Sequence, residues 1–363
     1  MTVASNAVAA DPWQPTATLV DLRRTKRSNV REFGTITRYA AVMSDDTERE
    51  VIHAQTLKRL RSPQSSVPLT IGTAPPLSLG PEGLGMHFLL KSMQLGVDAV
   101  LFGPERSRMD ITDEAAMRAV ASTMSFPSSA HAAHLIADRL ALEASGDLSH
   151  MLWTGVSLGA IKGLTFCALA PSHNRTMVYS HFVVPAAPKP IAAPTKDELR
   201  QFMRGEFGAM MRLSAELMLH DVRDRTILVH ENIARLSRPG LMWRYARSTP
   251  RDRVSRLFTE AWRTAVVTGD AGQAARRLPL DRLATFELYD LDAAGSPDDW
   301  SDIVEPLTAR GTVAVVVNHG RHTDALRLSH QRDRARAIRR VVRDVQAGIP
   351  VEELEHPLAP GRS

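Results

Sequence analysis

The sequence predicts an α/β protein in which a mostly parallel central sheet is covered by helices on both faces and interrupted once by a helical insertion. Short apolar, β-branched runs alternate with segments of helical period from residue 67 to 185, and again from 283 to 348. Glycine or proline closes many of these segments, as at Gly96, Gly146, Pro171 and Gly348. Between the two blocks lies a Met-rich helical stretch, entered through the Pro/Ala linker "AAPKPIAAP" at 186–194.

Taken in order, residues 1–15 read as a loose tail. "TATLVDL" (16–22) and "EFGTITRYAAVM" (32–43) are rich in β-branched and aromatic residues and predict an antiparallel pair at one sheet edge, joined by the polar link "RRTKRSNVR". The segment 45–62 is polar with scattered apolar positions and fits either strand or short helix. "VPLTI" (67–71) is a buried strand, followed by a Gly/Pro loop and a helix at 86–96. "VDAVLFG" (97–103) is the next strand, and helices follow at 113–122 and 130–146. "LSHMLWT" (148–154) is a strand, "LGAIKGLTFCALAP" (158–171) a helix and "MVYSHFVV" (177–184) a strand.

The insertion contributes helices at 196–224 and 253–269. Strand "LATFELYDL" (283–291), helix 298–311, strand "TVAVVV" (312–317) and a long final helix at 323–348 complete the chain, with Thr323 in the N-cap place. These boundaries imply three parts: a core over 1–194, an insertion over 195–275, and a second core part over 276–363.

Composition narrows the function classes. The 363 residues suffice for one large α/β domain with an insertion, or for two domains. Apolar residues at 44% and charged ones at 23% are ordinary for a globular protein. No apolar run approaches the ~20 residues of a membrane span, and the N-terminus lacks the basic and apolar regions of a secretory signal. The single cysteine, Cys167, excludes an internal disulfide and fits a reducing, cytoplasmic setting. It lies in an apolar helical stretch and reads as a buried thiol.

The net charge is +5, yet the densest basic run, "RDRARAIRRVVRD" (332–344), contains acids and alternates with Ala337, Ile338, Val341 and Val342 at helical spacing. It reads as the solvated face of an amphipathic helix. No nucleic-acid-binding motif accompanies it. No His/Cys/Asp spacing resembles a zinc site, and no Gly-rich dinucleotide fingerprint is present, so no metal or cofactor is expected. A homo-oligomer is left open.

The chemistry centres on "WTGVSLGAIKG" (153–163). Ser157 stands between an apolar strand and a helix in Gly155-Val156-Ser157-Leu158-Gly159. A nucleophile at such a junction needs a sharp turn that exposes its hydroxyl, and residues two before and two after must be tiny. Gly155 and Gly159 meet that demand, while Ala160 and Gly163 let the helix approach the strand. The helix N-terminus leaves backbone N–H groups free, and that of Leu158 can point at an oxyanion. The alternative is a glycine-rich turn with an idle serine.

With this elbow in its strand–turn–helix context, the chain resembles the α/β-hydrolase superfamily over roughly residues 65–185 and 280–345. The resemblance implies the order Ser…Asp…His. It implies a base on the loop after the last strand. "NHGRHTDALR" offers His319 and His322, and His322, just after the Gly320 turn, fits better. It implies an acid after the preceding strand. "YDLDAAGSPDDW" offers Asp290, Asp292, Asp298 and Asp299. Asp298 and Asp299 look like helix caps and Asp290 like a strand end, so Asp292, which begins the loop, is preferred; the family's usual Gly-x-x-Asp is absent.

It also implies a second oxyanion donor in Ile71-Gly72-Thr73-Ala74-Pro75-Pro76, namely the N–H of Thr73, with Ala74 as the alternative. The family's usual histidine is replaced there by Ile71, and the stretch also fits a plain strand-to-helix connection.

The insertion corresponds to a cap or lid over the serine. Its Met203, Met210, Met211 and Met218 suit an adaptable apolar pocket, or else form the cap's own core. The expected activity is cleavage of an ester, thioester or amide of a small, partly apolar acyl substrate by a serine hydrolase. An acyltransferase with the same residues, or a catalytically silent binding protein on this fold, is the alternative.

Overall fold

A computed structural model describes residues 13, 17–30, 33–57, 67–74, 88–89, 92–93, 95–107, 126–143, 148–184, 269–279, 281–292, 296–309 and 311–358. The helix expected at 113–122, the loop at 75–85 and the insertion's methionines lie outside the described residues.

Three N-terminal strands form a meander: β1 (Leu19–Val30), β2 (Gly34–Met43) and β3 (Thr47–Thr56), each antiparallel to the next. The expected pair 16–22 and 32–43 is present. However, its supposed polar link belongs to β1, which runs on through Arg23, Arg24, Lys26 and Arg27. At a sheet edge one side of a strand needs no apolar face, and a row of cations blocks pairing with another chain. Of segment 45–62, which fitted strand or helix, Thr47–Thr56 forms β3, with Val51, Ile52 and Ala54 buried on the sheet; residues 58–62 lie outside the described residues.

The remaining strands are β4 (Leu69–Thr73), β5 (Asp98–Ser107), β6 (His150–Val156), β7 (Thr176–Val183), β8 (Leu283–Tyr289) and β9 (Val313–Asn318). One nine-stranded sheet results, in the order β1-β2-β3-β5-β4-β6-β7-β8-β9. From β5 to β9 every neighbouring pair is parallel. Helices are α1 (Phe126–Glu143), α2 (Leu158–Leu169), α3 (Asp270–Arg276), α4 (Asp298–Thr308) and α5 (Leu328–Gln346).

Burial shows why both faces need helices. Alternate β5 residues point opposite ways: Val100 and Phe102 join a core with Ile136, Leu164, Ala274 and Trp300 from α1 to α4. Ala99 and Leu101 join another with Leu89, Met93, and Ala337, Ile338, Val341 and Val342 of α5. Strands buried on both faces read as continuous apolar runs, which is how β6 to β8 appear in the sequence.

The expected amphipathic character of α5 therefore holds, but its start differs. Residues 322–326 form a 3-10 turn, and α5 begins at Leu328. Thr323 lies inside that turn and not at the N-cap; the Asp324 carboxylate accepts the Arg321 N–H at 2.8 Å and fixes the turn earlier. Cys167 is buried, its thiol facing Ser180 at 3.3 Å, and burial pushes it up to about 12. Among the described residues no helix is long and apolar enough to cross a membrane.

Candidate active site

The strand order contains a topological switch. From β4 the chain crosses to β5 on one side, then returns past β4 to β6 on the other. Open parallel sheets bind ligands in the crevice at the carboxyl ends of strands where that reversal occurs. That rule points to the ends of β4 and β6, at Thr73 and Ser157. The Thr73 hydroxyl donates to the Thr154 carbonyl at 2.7 Å, drawing the two strand ends together. Thr73 is the last residue of β4.

Ser157 adopts φ 58° and ψ −124° between β6 and α2. Asn174, also at positive φ, sits in the ordinary left-handed basin; Ser157 does not. Such a conformation costs a non-glycine residue on the order of 1–3 kcal/mol and persists only where neighbours enforce it. The enforcement is visible. Ser157 N–H donates to the Val183 carbonyl at 2.9 Å, and the Ser157 carbonyl accepts from Ala160 and Ile161. The N–H groups of Leu158 and Gly159 precede these first helical bonds.

A β-carbon on Gly155 would lie 2.3 Å from the Gly159 carbonyl oxygen. Trp153 spans the elbow, its indole N–H donating to that same carbonyl at 3.2 Å, and a β-carbon on Gly163 would sit 2.0 Å from the indole nitrogen.

Buried charge fixes the elbow helix from below. Lys162 of α2 meets Glu105 of β5 at 2.5 Å, and Glu105 is also held by Arg49 of β3 and Ser129 of α1. Burial alone would raise the Glu105 carboxyl, but the Arg49 and Lys162 charges outweigh it and hold it at about 2. Burial in turn pulls the Lys162 ammonium below its usual range, against the attraction of Glu105.

The acid and base candidates occupy the loops after β8 and β9. Asp292 and His322 are brought together: His322 Nδ1 lies 2.8 Å from Asp292 Oδ2, and both residues are buried. A carboxylate only accepts, so Nδ1 carries the proton, and it is Nε2 that a neutral ring would leave with its lone pair free. Among the described residues that Nε2 is buried with no hydrogen-bond partner.

The other candidates part ways. Asp290 pairs with His319 at 2.8 Å in the open, and it also accepts the Gly320 N–H. Asp298 and Asp299 form the first turn of α4 and are not its caps: Pro297 holds the N-cap place without a side-chain bond, and Asp299 accepts the Ser296 N–H at 2.8 Å from outside the helix. Val156, just before the serine, packs in a cluster with Val183, Tyr289 and Ala325. The elbow and the His322 turn thus share the carboxyl edge of the sheet, but the Ser157 hydroxyl and His322 Nε2 make no hydrogen bond.

Sequence reading missed Glu287, Arg334 and Asn318, which tie the His322 loop down from within. The available signal was Glu287, an acid in the middle of the apolar run "LATFELY". Arg334 was hidden among the arginines assigned to a solvated helix face; it is in fact buried.

No known protein family and no curated protein sequence matches the chain. Solved structures do. DcsB in complex with a substrate analogue aligns over 86% of this chain and all of its own, with a TM-score of 0.50 and 12% identity. The epoxide hydrolase VrEH1 from Vigna radiata covers 87% of this chain and 99% of its own at 0.48 and 14%. Brefeldin A esterase, a bacterial homologue of human hormone sensitive lipase, covers 89% and 78% at 0.48 and 14%. The chain has the α/β-hydrolase fold.

Proposed function

We propose that the protein is a serine hydrolase that cleaves an ester, thioester or amide of a small, partly apolar substrate through Ser157, His322 and Asp292. One observation carries the reading: His322 is fixed by Asp292 through Nδ1 at 2.8 Å while its buried Nε2 has no partner among the described residues. An unsatisfied buried nitrogen costs about 1–3 kcal/mol; Trp300 Nε1 shares that state in the core, but His322 Nε2 alone of the two belongs to an imidazole oriented by a carboxylate and able to accept a proton. The forced φ of Ser157 supports it independently.

In the reaction, His322 Nε2 takes the Ser157 hydroxyl proton as the serine oxygen attacks the carbonyl carbon. Asp292 holds the ring tautomer and stabilises the imidazolium. The N–H of Leu158 and a second N–H from Thr73 or Ala74 stabilise the oxyanion, each donor accounting for on the order of 10²–10³ in rate. His322 returns the proton to the leaving group, and the acyl-enzyme forms. Water then attacks the acyl carbon, His322 accepts its proton and passes it to the Ser157 oxygen as the C–O bond breaks, and the acid is released with Ser157 and neutral His322 restored.

The division into a core over 1–194 and 276–363 and a cap over 195–275, with the cap setting the acyl specificity, belongs to this proposal, as does a cytoplasmic location. The test is intact-mass analysis after treatment with a fluorophosphonate. The wild type is expected to gain one adduct, and Ser157→Ala to gain none. A folded wild type that stays unmodified would move the catalytically silent binding protein to first place.

A further inference from the structure

Five residues before Asp292, the carboxylate of Glu287 lies buried in β8 with a dense set of donors. His181 Nε2 donates to it at 2.8 Å, the Tyr289 hydroxyl at 2.6 Å and the Asn318 amide at 2.9 Å. Arg334 Nη1 reaches both its oxygens at 3.1 and 3.0 Å, and Arg334 Nη2 donates to the carbonyl of Ala325. Burial would raise this carboxyl, but the His181 hydrogen bond and the Arg334 charge overcome it and hold it at about 2, so it is ionised whenever the protein is folded at neutral pH.

The network continues away from the site. Burial lowers the His181 imidazole below its ordinary value against the pull of Glu287; its Nδ1 faces the Tyr179 hydroxyl at 3.0 Å, and Tyr179 meets Thr285 at 2.8 Å.

The placement of the two outer partners is informative. Asn318 is the last residue of β9, and Ala325 lies in the 3-10 turn that begins at His322. Both ends of the segment carrying His322 are therefore tied to one carboxylate, directly at Asn318 and through Arg334 at Ala325. That carboxylate stands on the strand whose continuation carries Asp292.

A buried ion pair adds little net stability compared with apolar packing of the same volume, and its retention calls for another role. We propose that Glu287 and Arg334 are positioning residues that clamp the His322 segment so that its imidazole stays in register with Asp292. This deepens, and rests on, the serine-hydrolase reading. Neither residue touches a reacting atom. Misplacement of a base by about 1 Å is enough to lower a rate on the order of 10²-fold.

The test uses Arg334→Lys and Asn318→Ala in the full chain, each cutting one tie while leaving Glu287 compensated; lysine keeps the charge but lacks the second arm of the fork. Two readouts are taken on folded protein, judged by near-ultraviolet circular dichroism. One is fluorophosphonate labelling, resolved into kinact and KI. The other is the downfield proton resonance of His322 Nδ1–H, assigned by its loss in His322→Gln.

The expected result is that kinact falls about 10- to 100-fold with KI unchanged in Arg334→Lys, less in Asn318→Ala, and that the resonance broadens or disappears in parallel. A folded Arg334→Lys with wild-type kinact and an intact resonance overturns the proposal. So does failure of both variants to fold, which would make the cluster a stability element. If the wild type does not label but its resonance is present and is lost in Arg334→Lys, the clamp stands and the hydrolase reading fails.

Discussion

The loops after β8 and β9 carry two aspartate–histidine pairs, Asp290 with His319 and Asp292 with His322, each at 2.8 Å. Their surroundings are opposite. The His319 and Asp290 side chains are 82% and 40% exposed; those of His322 and Asp292 are 9% and 2% exposed. In water such a pair is screened and contributes little. In a dry site the same contact fixes one tautomer and leaves the far nitrogen as a poised acceptor. Distance alone therefore does not distinguish the proposed catalytic pair; burial and a far nitrogen without a partner among the described residues do.

The largest effect that would break this comparison is expected from the acids. Asp292→Asn should lower the fluorophosphonate labelling rate about 10⁴-fold by releasing the wrong tautomer of His322, while Asp290→Asn leaves it within about twofold. Equal losses from the two substitutions would remove the distinction between the pairs.

A smaller effect is expected at the turn that separates the two histidines. Gly320 has φ 148°, and a β-carbon there would lie 2.8 Å from the Asp324 carboxylate that anchors the His322 turn. Gly320→Ala should cost about 1–3 kcal/mol in urea unfolding and reduce labelling. Unchanged stability and labelling would show that the turn tolerates a side chain and does not set the register of His322.

The smallest effect concerns protonation of the exposed pair. The hydrogen bond and charge of Asp290 raise the His319 imidazole above its ordinary value, and the same contact lowers the Asp290 carboxyl. A raised histidine stabilises the fold below its unfolded pKa and loses that contribution as pH rises through the folded one. A lowered aspartate stabilises above its unfolded pKa and loses it as pH falls through the folded one. The pair thus favours the fold mainly between those two limits, weakly and in a salt-sensitive manner. An NMR titration should find His319 returned toward its ordinary value in Asp290→Asn; an unchanged midpoint would mean that the contact is not populated in solution.

Much of this was legible in the sequence because it depends on short-range spacing. The tight approach at Gly155, Ser157 and Gly163 is a local steric requirement, and local requirements leave local marks. Asp292 could be preferred among four acids because the strand reads as 283–291 in the sequence, which puts it first in the loop with no helix to cap; the strand itself ends at Tyr289. The burial that separates it from Asp290 was not legible, since both stand within three residues in similar sequence. β1 was read too short because an edge strand tolerates cations that a central strand does not. The Glu287 clamp was missed because its partners come from β7, β9 and α5, and such convergence exists only after the sheet has formed.

The central claim is that the buried pair, and not the exposed one, activates Ser157. It is tested most directly by the labelling rate of His322→Ala and His319→Ala measured side by side with the wild type. The account predicts a loss on the order of 10⁶-fold in His322→Ala and a rate within about twofold of wild type in His319→Ala. Retained labelling in a folded His322→Ala, or its loss in His319→Ala, would contradict it.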